Sequence, residues 1–226
     1  MWRVRSGVIE IVIATGNPHK LEEIAAIFAG EGLAGVQLRS LAELGKAFTE
    51  PCETGSTFEA NASIKALSYA QQTGMLCLAD DSGLEVDALG GKPGVISSHY
   101  ATDGAETGAS RAQRDAANNA RLLRELVGVA PDKRSARFVC VMALARGGSL
   151  LHTSRGAFDG RIGVPPAVPR GGNGFGYDPL FLVAPGFART GAELPPEEKN
   201  AKSHRAHAAR QMAAWLRENA MQFKQA

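Results

Sequence analysis

The chain has 226 residues, a formal net charge of +2, 44% hydrophobic and 21% charged residues. That length can bury a sizeable core, and the composition excludes general disorder. So small a charge excess gives no sign of the clustered basic surface of a nucleic-acid binder, so an anionic substrate must be met by a local site. Three cysteines, Cys52, Cys77 and Cys140, form no CxxC pair. This argues against a disulfide framework or a cysteine zinc site and for a reducing compartment.

Residues 1–7 read as an N-terminal extension. The apolar stretch 8–14 is too short for a membrane span and, broken by Glu10, makes a poor signal peptide. Its β-branched run predicts a buried strand. Asn17 can cap a following helix and Pro18 suits its first position, so a helix is expected to run to Ile27 or Phe28. Ser56 and Glu59 have capping-box spacing and Gly74 is a stop, which predicts a helix over 56–73. A short apolar strand at 75–79 runs into Asp80-Asp81-Ser82-Gly83, and 84–89 is apolar again. A helix is expected over 109–127, with Leu122, Leu123, Leu126 and Val127 on its core face. Residues 138–145 read as a strand that turns at Gly147-Gly148 into a return strand from Leu150. The Gly- and Pro-rich stretch 161–176 predicts a loop, 180–183 a strand, and 188–196 an exposed loop. A last helix starts near Ser203 and buries Ala208, Met212, Trp215 and Leu216. Interleaved strands and helices with one hairpin give an α/β protein with a mixed sheet.

Six segments could carry chemistry. Thr15-Gly16-Asn17-Pro18-His19-Lys20 joins a strand to a helix start, where free N–H groups and the helix dipole suit phosphate. It also reads as a plain cap with a solvated lysine, and no GxxxxGK[ST] P-loop occurs. Asp80 and Asp81 are either hard-cation ligands or acids of an Asx turn. In an extended stretch they point to opposite faces. Glu50 and Glu53 precede a capped helix, and a carboxylate there is a second possible metal ligand. Lys65 shares a helical stripe with Phe58, Ala62 and Tyr69, so it either snorkels outward or reaches into a cleft, with Asn61 one turn earlier on the same side. The segment 171–179, Gly-Gly-Asn-Gly-Phe-Gly-Tyr-Asp-Pro, permits close backbone approach to a flat ligand with stacking, or plugs the core with its aromatics. Lys199, His204 and Arg205 place cations near a helix start, against the dipole.

In this order and spacing, the motifs 14–20, 53–58 with Asn61 and Lys65, 79–84, 175–179 and 203–205 resemble the inosine/xanthosine triphosphate pyrophosphatase family. These are the Ham1-like house-cleaning enzymes of purine nucleotides. The resemblance runs from about Ile11 to Leu216. It implies an elongated, two-lobed α/β domain over 8–226, with a long mixed sheet flanked by helices and an active-site cleft between the lobes. It also implies a cytoplasmic homodimer that binds neither nucleic acid nor membrane. The implied reaction is Mg²⁺-dependent hydrolysis of ITP, dITP or XTP to the monophosphate and pyrophosphate, keeping these nucleotides out of nucleic acids. Carried over position by position, Thr15, Gly16, Asn17, Pro18, His19, Lys20 and Lys65 hold the triphosphate. Glu53 and Asp81 hold the metal, Asp81 matches the general base, and Asp80 supports it. Asn61 and Ser82 touch substrate. Phe175, Gly176, Tyr177, Asp178, Lys199, His204 and Arg205 frame the base. A module that binds nucleotides without turnover, and a Maf-type enzyme for pyrimidine or modified nucleotides, remain as other readings.

Overall fold

A computed structural model describes residues 8–15, 18–33 and 35–224. The expected extension at 1–7, together with Gly16 and Asn17 of the first motif, lies outside the described residues. The elements in chain order are β1 (Ile9–Ile13), α1 (Pro18–Gly30), β2 (Val36–Ser40), α2 (Phe58–Thr73), β3 (Leu76–Val86) and α3 (Arg111–Glu125). They continue with β4 (Ser135–Arg146), β5 (Ser149–Ile162), β6 (Phe181–Val183), α4 (Pro196–Lys202) and α5 (His204–Lys224). The strands form one sheet in the order β2-β1-β3-β4-β5-β6. Strand β1 runs parallel to both β2 and β3, and β6 pairs antiparallel with β5, so the sheet is mixed.

By internal contacts the chain forms two compact units. The first takes the chain up to Asp81, residues 140–156 and everything from Arg205 on; the second takes 82–139 and 157–204. Each unit has its own core. In the first, Ile11 and Ile13 of β1, Ile24 and Phe28 of α1, and Met142 and Leu144 of β4 pack with Ala208, Met212 and Leu216 of α5. Ala206, Ala209 and Ala213 keep that face of α5 small and are fully buried, which allows close helix packing. Trp215 is only partly buried and stacks on the His152 ring with centroids 4.6 Å apart. In the second unit, Leu84, Tyr100, Leu122, Leu126, Phe138, Phe158 and Phe181 form the core. Buried Arg134 closes this unit by donating to the carbonyls of Leu126, Val129 and Gly163, groups that the end of α3 and a loop would otherwise leave unsatisfied.

Several sequence expectations change in detail. The cap of α2 is Thr57, whose hydroxyl accepts from Ala60 N–H, one residue later than the Ser56–Glu59 box predicts. Capping boxes are instead found at α3, between Ser110 and Gln113, and at the helical turn Gly191–Glu193, between Thr190 and Glu193. Helix α3 ends at Glu125, so Val127 lies beyond it and is 78% exposed rather than core-facing. The stretch 188–196 is not an exposed loop: Thr190, Gly191, Ala192 and Leu194 are buried around a short helical turn at Gly191–Glu193. Helix α4, which follows it, has no counterpart among the expected elements. The largest change is β3, which runs unbroken through Asp80-Asp81-Ser82-Gly83. The Asx-turn reading of the two acids therefore fails, because their backbone groups belong to a strand.

Candidate active site

Adjacent positions of an extended strand face opposite ways, and the two acids of β3 accordingly have different partners. Asp80 lies 2.9 Å from Lys20 Nζ and 3.7 Å from an Arg205 guanidinium nitrogen, with Cys140 Sγ at 3.9 Å. Burial alone would raise its pKa. Lys20, Arg205 and Lys65 outweigh that and hold the carboxyl well below the usual carboxylate range, so Asp80 is an anion at any physiological pH. Arg205 is 3% exposed and also pairs with Glu23 of α1. Burial opposes its charge, and Asp80 and Glu23 more than restore it.

Asp81 faces Lys65. Lys65 Nζ sits 3.2 Å from Asp81 Oδ1 and 3.0 Å from Glu53 Oε2, so two carboxylates converge on one ammonium. Lys65 is 8% exposed, so it reaches inward rather than snorkelling. Burial pulls its pKa down, and Asp81, Asp80 and Glu53 together push it above the ordinary lysine value. Asp81 itself is pushed up to about 6 by burial, with Glu53 adding and Lys65 opposing. Its second oxygen, Oδ2, is buried and has no hydrogen-bond partner. Such an atom is costly unless something fills the position.

The loop carrying Glu53 is pinned from α2. Asn61, 2% exposed, accepts the Gly55 N–H at 2.8 Å, so its side-chain oxygen shapes the protein. A β-carbon at Gly55 would lie 2.6 Å from both Ala60 Cβ and Asn61 Oδ1, which is why glycine stands there.

A bound hard cation is compatible with these groups. No cluster of three or more His, Cys, Asp or Glu is found among the described residues. Mg²⁺, however, commonly uses only one or two carboxylates with water and substrate phosphate completing the octahedron. Glu53 and Asp81, already converging on a cation and with Asp81 Oδ2 unsatisfied, fit that donor set.

The other motif residues lie in the second unit. Asp178 is 2% exposed, accepts the Phe175 N–H at 2.8 Å and pairs with Lys199 Nζ at 2.5 Å. Gly174, at φ +73°, passes so close that a β-carbon would collide with the Asp178 carboxylate and lie 2.9 Å from Lys199 Nζ. The Phe175 ring carries the Arg111 guanidinium 4.1 Å from its centroid, with Lys199 Nζ at 5.4 Å. Tyr177 turns the opposite way: it is 4% exposed and its hydroxyl donates to Ser97 O at 2.7 Å. Tyr177 thus plugs the core, as one reading of the segment expects, while Phe175 is left half-buried. His204 is 8% exposed and stacks on Phe138 with centroids 5.3 Å apart. Lys199 lies in the last turn of α4, where a cation agrees with the helix dipole, so the expected clash applies only to the start of α5.

Of the first motif, Thr15 is partly buried after β1, Pro18 and His19 open α1, and Lys20 follows them in its first turn, paired with Asp80. Ser82 follows Asp81 along β3. The first unit thus gathers Lys20, Glu53, Lys65, Asp80, Asp81 and Arg205; the second holds Ser82, Phe175, Tyr177, Asp178, Lys199 and His204. Sequence reasoning missed Glu23, one helical turn after Lys20. Its partner Arg205 is 182 residues away, and no local signal marks the pair.

The Ham1 family model matches residues 11–215. A dITP/XTP pyrophosphatase of Frankia alni is 47% identical over 210 residues, covering 93% of this chain and 98% of that protein. One from Nitratidesulfovibrio vulgaris is 45% identical over 202 residues, covering 89% and 93%. Among solved structures, a HAM1 protein from Coxiella burnetii superposes with a TM-score of 0.78 at 41% identity, covering 93% of this chain and all of that one. From a match over nearly the whole length, in sequence and in structure, the chain belongs to the Ham1 family.

Proposed function

We propose that this chain is a nucleoside-triphosphate pyrophosphohydrolase that converts the non-standard purine nucleotides ITP, dITP and XTP to the monophosphate and pyrophosphate. The observation that carries the reading is Lys65 held between Glu53 and Asp81, with Asp81 Oδ2 buried and unpartnered. Membership of a family whose relatives are named dITP/XTP pyrophosphatases supports the substrate class.

Water attacks the α-phosphorus, the bond from that phosphorus to the bridging oxygen breaks, and pyrophosphate leaves with the electron pair. Asp81, buried beside Lys65, is the carboxylate suited to orient the water and take its proton. Lys20 and Lys65 offset the charge that moves onto the leaving pyrophosphate. Asp80 keeps Lys20 in place through their 2.9 Å ion pair. Mg²⁺ held by Glu53 and Asp81 would supply further neutralisation of the phosphate oxygens and orient them for in-line attack.

On the base side, half-buried Phe175 offers a face for any base and does not discriminate. Inosine and xanthosine present a 6-keto acceptor where adenosine has a 6-amino donor. Donors from Lys199 and His204, both in the second unit, would satisfy the keto oxygen and leave an adenine amino group facing another donor, a mismatch that polar sites reject strongly.

Homodimer assembly and a cytosolic location belong to the same proposal. All three cysteines are free, and no described helix is long and apolar enough to cross a membrane. The test is pyrophosphate release from ITP and XTP against ATP and thymidine triphosphate. Preferential, Mg²⁺-dependent release from the first two supports the reading, whereas a preference for thymidine triphosphate moves the assignment to a Maf-type activity.

A further inference from the structure

Helix α3 contributes no residue to the sets above except Arg111, yet one face of it is aimed at the Phe175–Asp178 segment. Asp115 Oδ2 accepts the Gly176 N–H at 3.0 Å, and Asn119 Nδ2 donates to the Gly176 carbonyl at 3.0 Å. Both polar groups of one glycine are therefore held by two side chains four residues apart on one helix face. Arg111, one turn earlier, lies over the Phe175 ring. Three successive turns of α3 thus address two consecutive residues.

Gly176 has φ +63°, a left-handed conformation that suits glycine. It separates two aromatics in different surroundings, core-anchored Tyr177 and half-buried Phe175. Asn119 keeps its amide turned to Gly176 although this leaves its own Oδ1 buried with no hydrogen-bond partner. Turning the amide over would set oxygen against the Gly176 carbonyl.

We infer that Asp115 and Asn119 are positioning residues: they clamp Gly176 so that the Phe175 ring is fixed in the orientation that stacks on the nucleobase. The inference rests on the pyrophosphohydrolase reading and deepens it by assigning base-side order to α3. The clamp acts on the nucleobase end of the substrate and leaves phosphate binding alone, which separates it from a general structural role.

The experiment uses full-length wild type, Asp115→Ala, Asn119→Ala and Asp115→Asn, each checked for folding by thermal melt. In the two alanine variants, KM for ITP and the inhibition constant of inosine monophosphate should rise about fivefold, the loss expected from one net hydrogen bond. The inhibition constant of pyrophosphate should keep its wild-type value. Asp115→Asn retains an acceptor oxygen and should restore the wild-type KM. Hydrogen exchange at the Gly176 amide should quicken in Asp115→Ala without substrate present. Unchanged KM and monophosphate inhibition in a folded variant overturn the inference, as does a parallel rise for pyrophosphate. If Asp115→Ala fails to fold, Asn119→Ala and Asp115→Asn decide the matter. Wild type that does not turn over ITP overturns the functional reading itself, a result distinct from active wild type with unaltered variants.

Discussion

Asp80 and Asp81 are neighbours with opposite electrostatics, and the difference follows from which cations each faces. Asp80 meets Lys20 and Arg205 and stays charged. Asp81 shares Lys65 with Glu53, and burial dominates its titration. Asp81→Asn should therefore abolish pyrophosphate release while the thermal midpoint stays near wild type; full activity in that variant would refute its role. Lys65→Ala should raise KM and lower kcat together, because the ammonium meets phosphate charge in both ground and transition states; a change in KM alone would limit Lys65 to binding. The cysteines give a simpler check. Cys52 is exposed, Cys77 and Cys140 are buried, and burial pushes the Cys77 thiol up to about 11 against a weaker contribution from Thr73. A thiol reagent at neutral pH should label one cysteine in the native protein and three after denaturation. Rapid labelling of all three in the native state would contradict the buried positions of Cys77 and Cys140.

Among the elements, those with a strong local signal were legible in the sequence. The β-branched run gave β1, and the Gly147-Gly148 turn gave the hairpin of β4 and β5. Pro18 marked the start of α1 and Gly74 the end of α2. What local pattern could not reveal was pairing. The unbroken course of β3 through two acids and a glycine depends on its neighbours in the sheet, and the burial of 190–194 depends on packing against distant parts of its unit. Lys65 likewise reads as a snorkelling residue until Glu53 and Asp81 are brought to it. Gly174 shows the same limit, since its need for glycine comes from Asp178 and Lys199 rather than from a turn rule. Gly174→Ala should lower stability by about 1–3 kcal/mol, the range for a strained left-handed residue, with the collision at Asp178 adding to it. A melt unchanged from wild type would show that the segment can move away.

For the whole molecule, the sequence was most informative where five short motifs recur in a fixed order, since each is ambiguous alone. Two cores, each built from several chain segments, put those motifs in place. The first unit holds Lys20, Glu53, Lys65, Asp80, Asp81 and Arg205, and the second holds Phe175, Asp178, Lys199 and His204. No composition or charge argument could have divided them so, because the net charge of +2 conceals a local balance of Lys20, Lys65 and Arg205 against Glu23, Glu53, Asp80 and Asp81. The most direct measurement is pyrophosphate release, with and without Mg²⁺, from inosine, xanthosine, adenosine, guanosine and thymidine triphosphates, using Asp81→Asn as the control. Fast Mg²⁺-dependent release from inosine and xanthosine triphosphates, lost in the variant, is the predicted result. Release of orthophosphate in place of pyrophosphate, or no release from any of the five, would contradict the account.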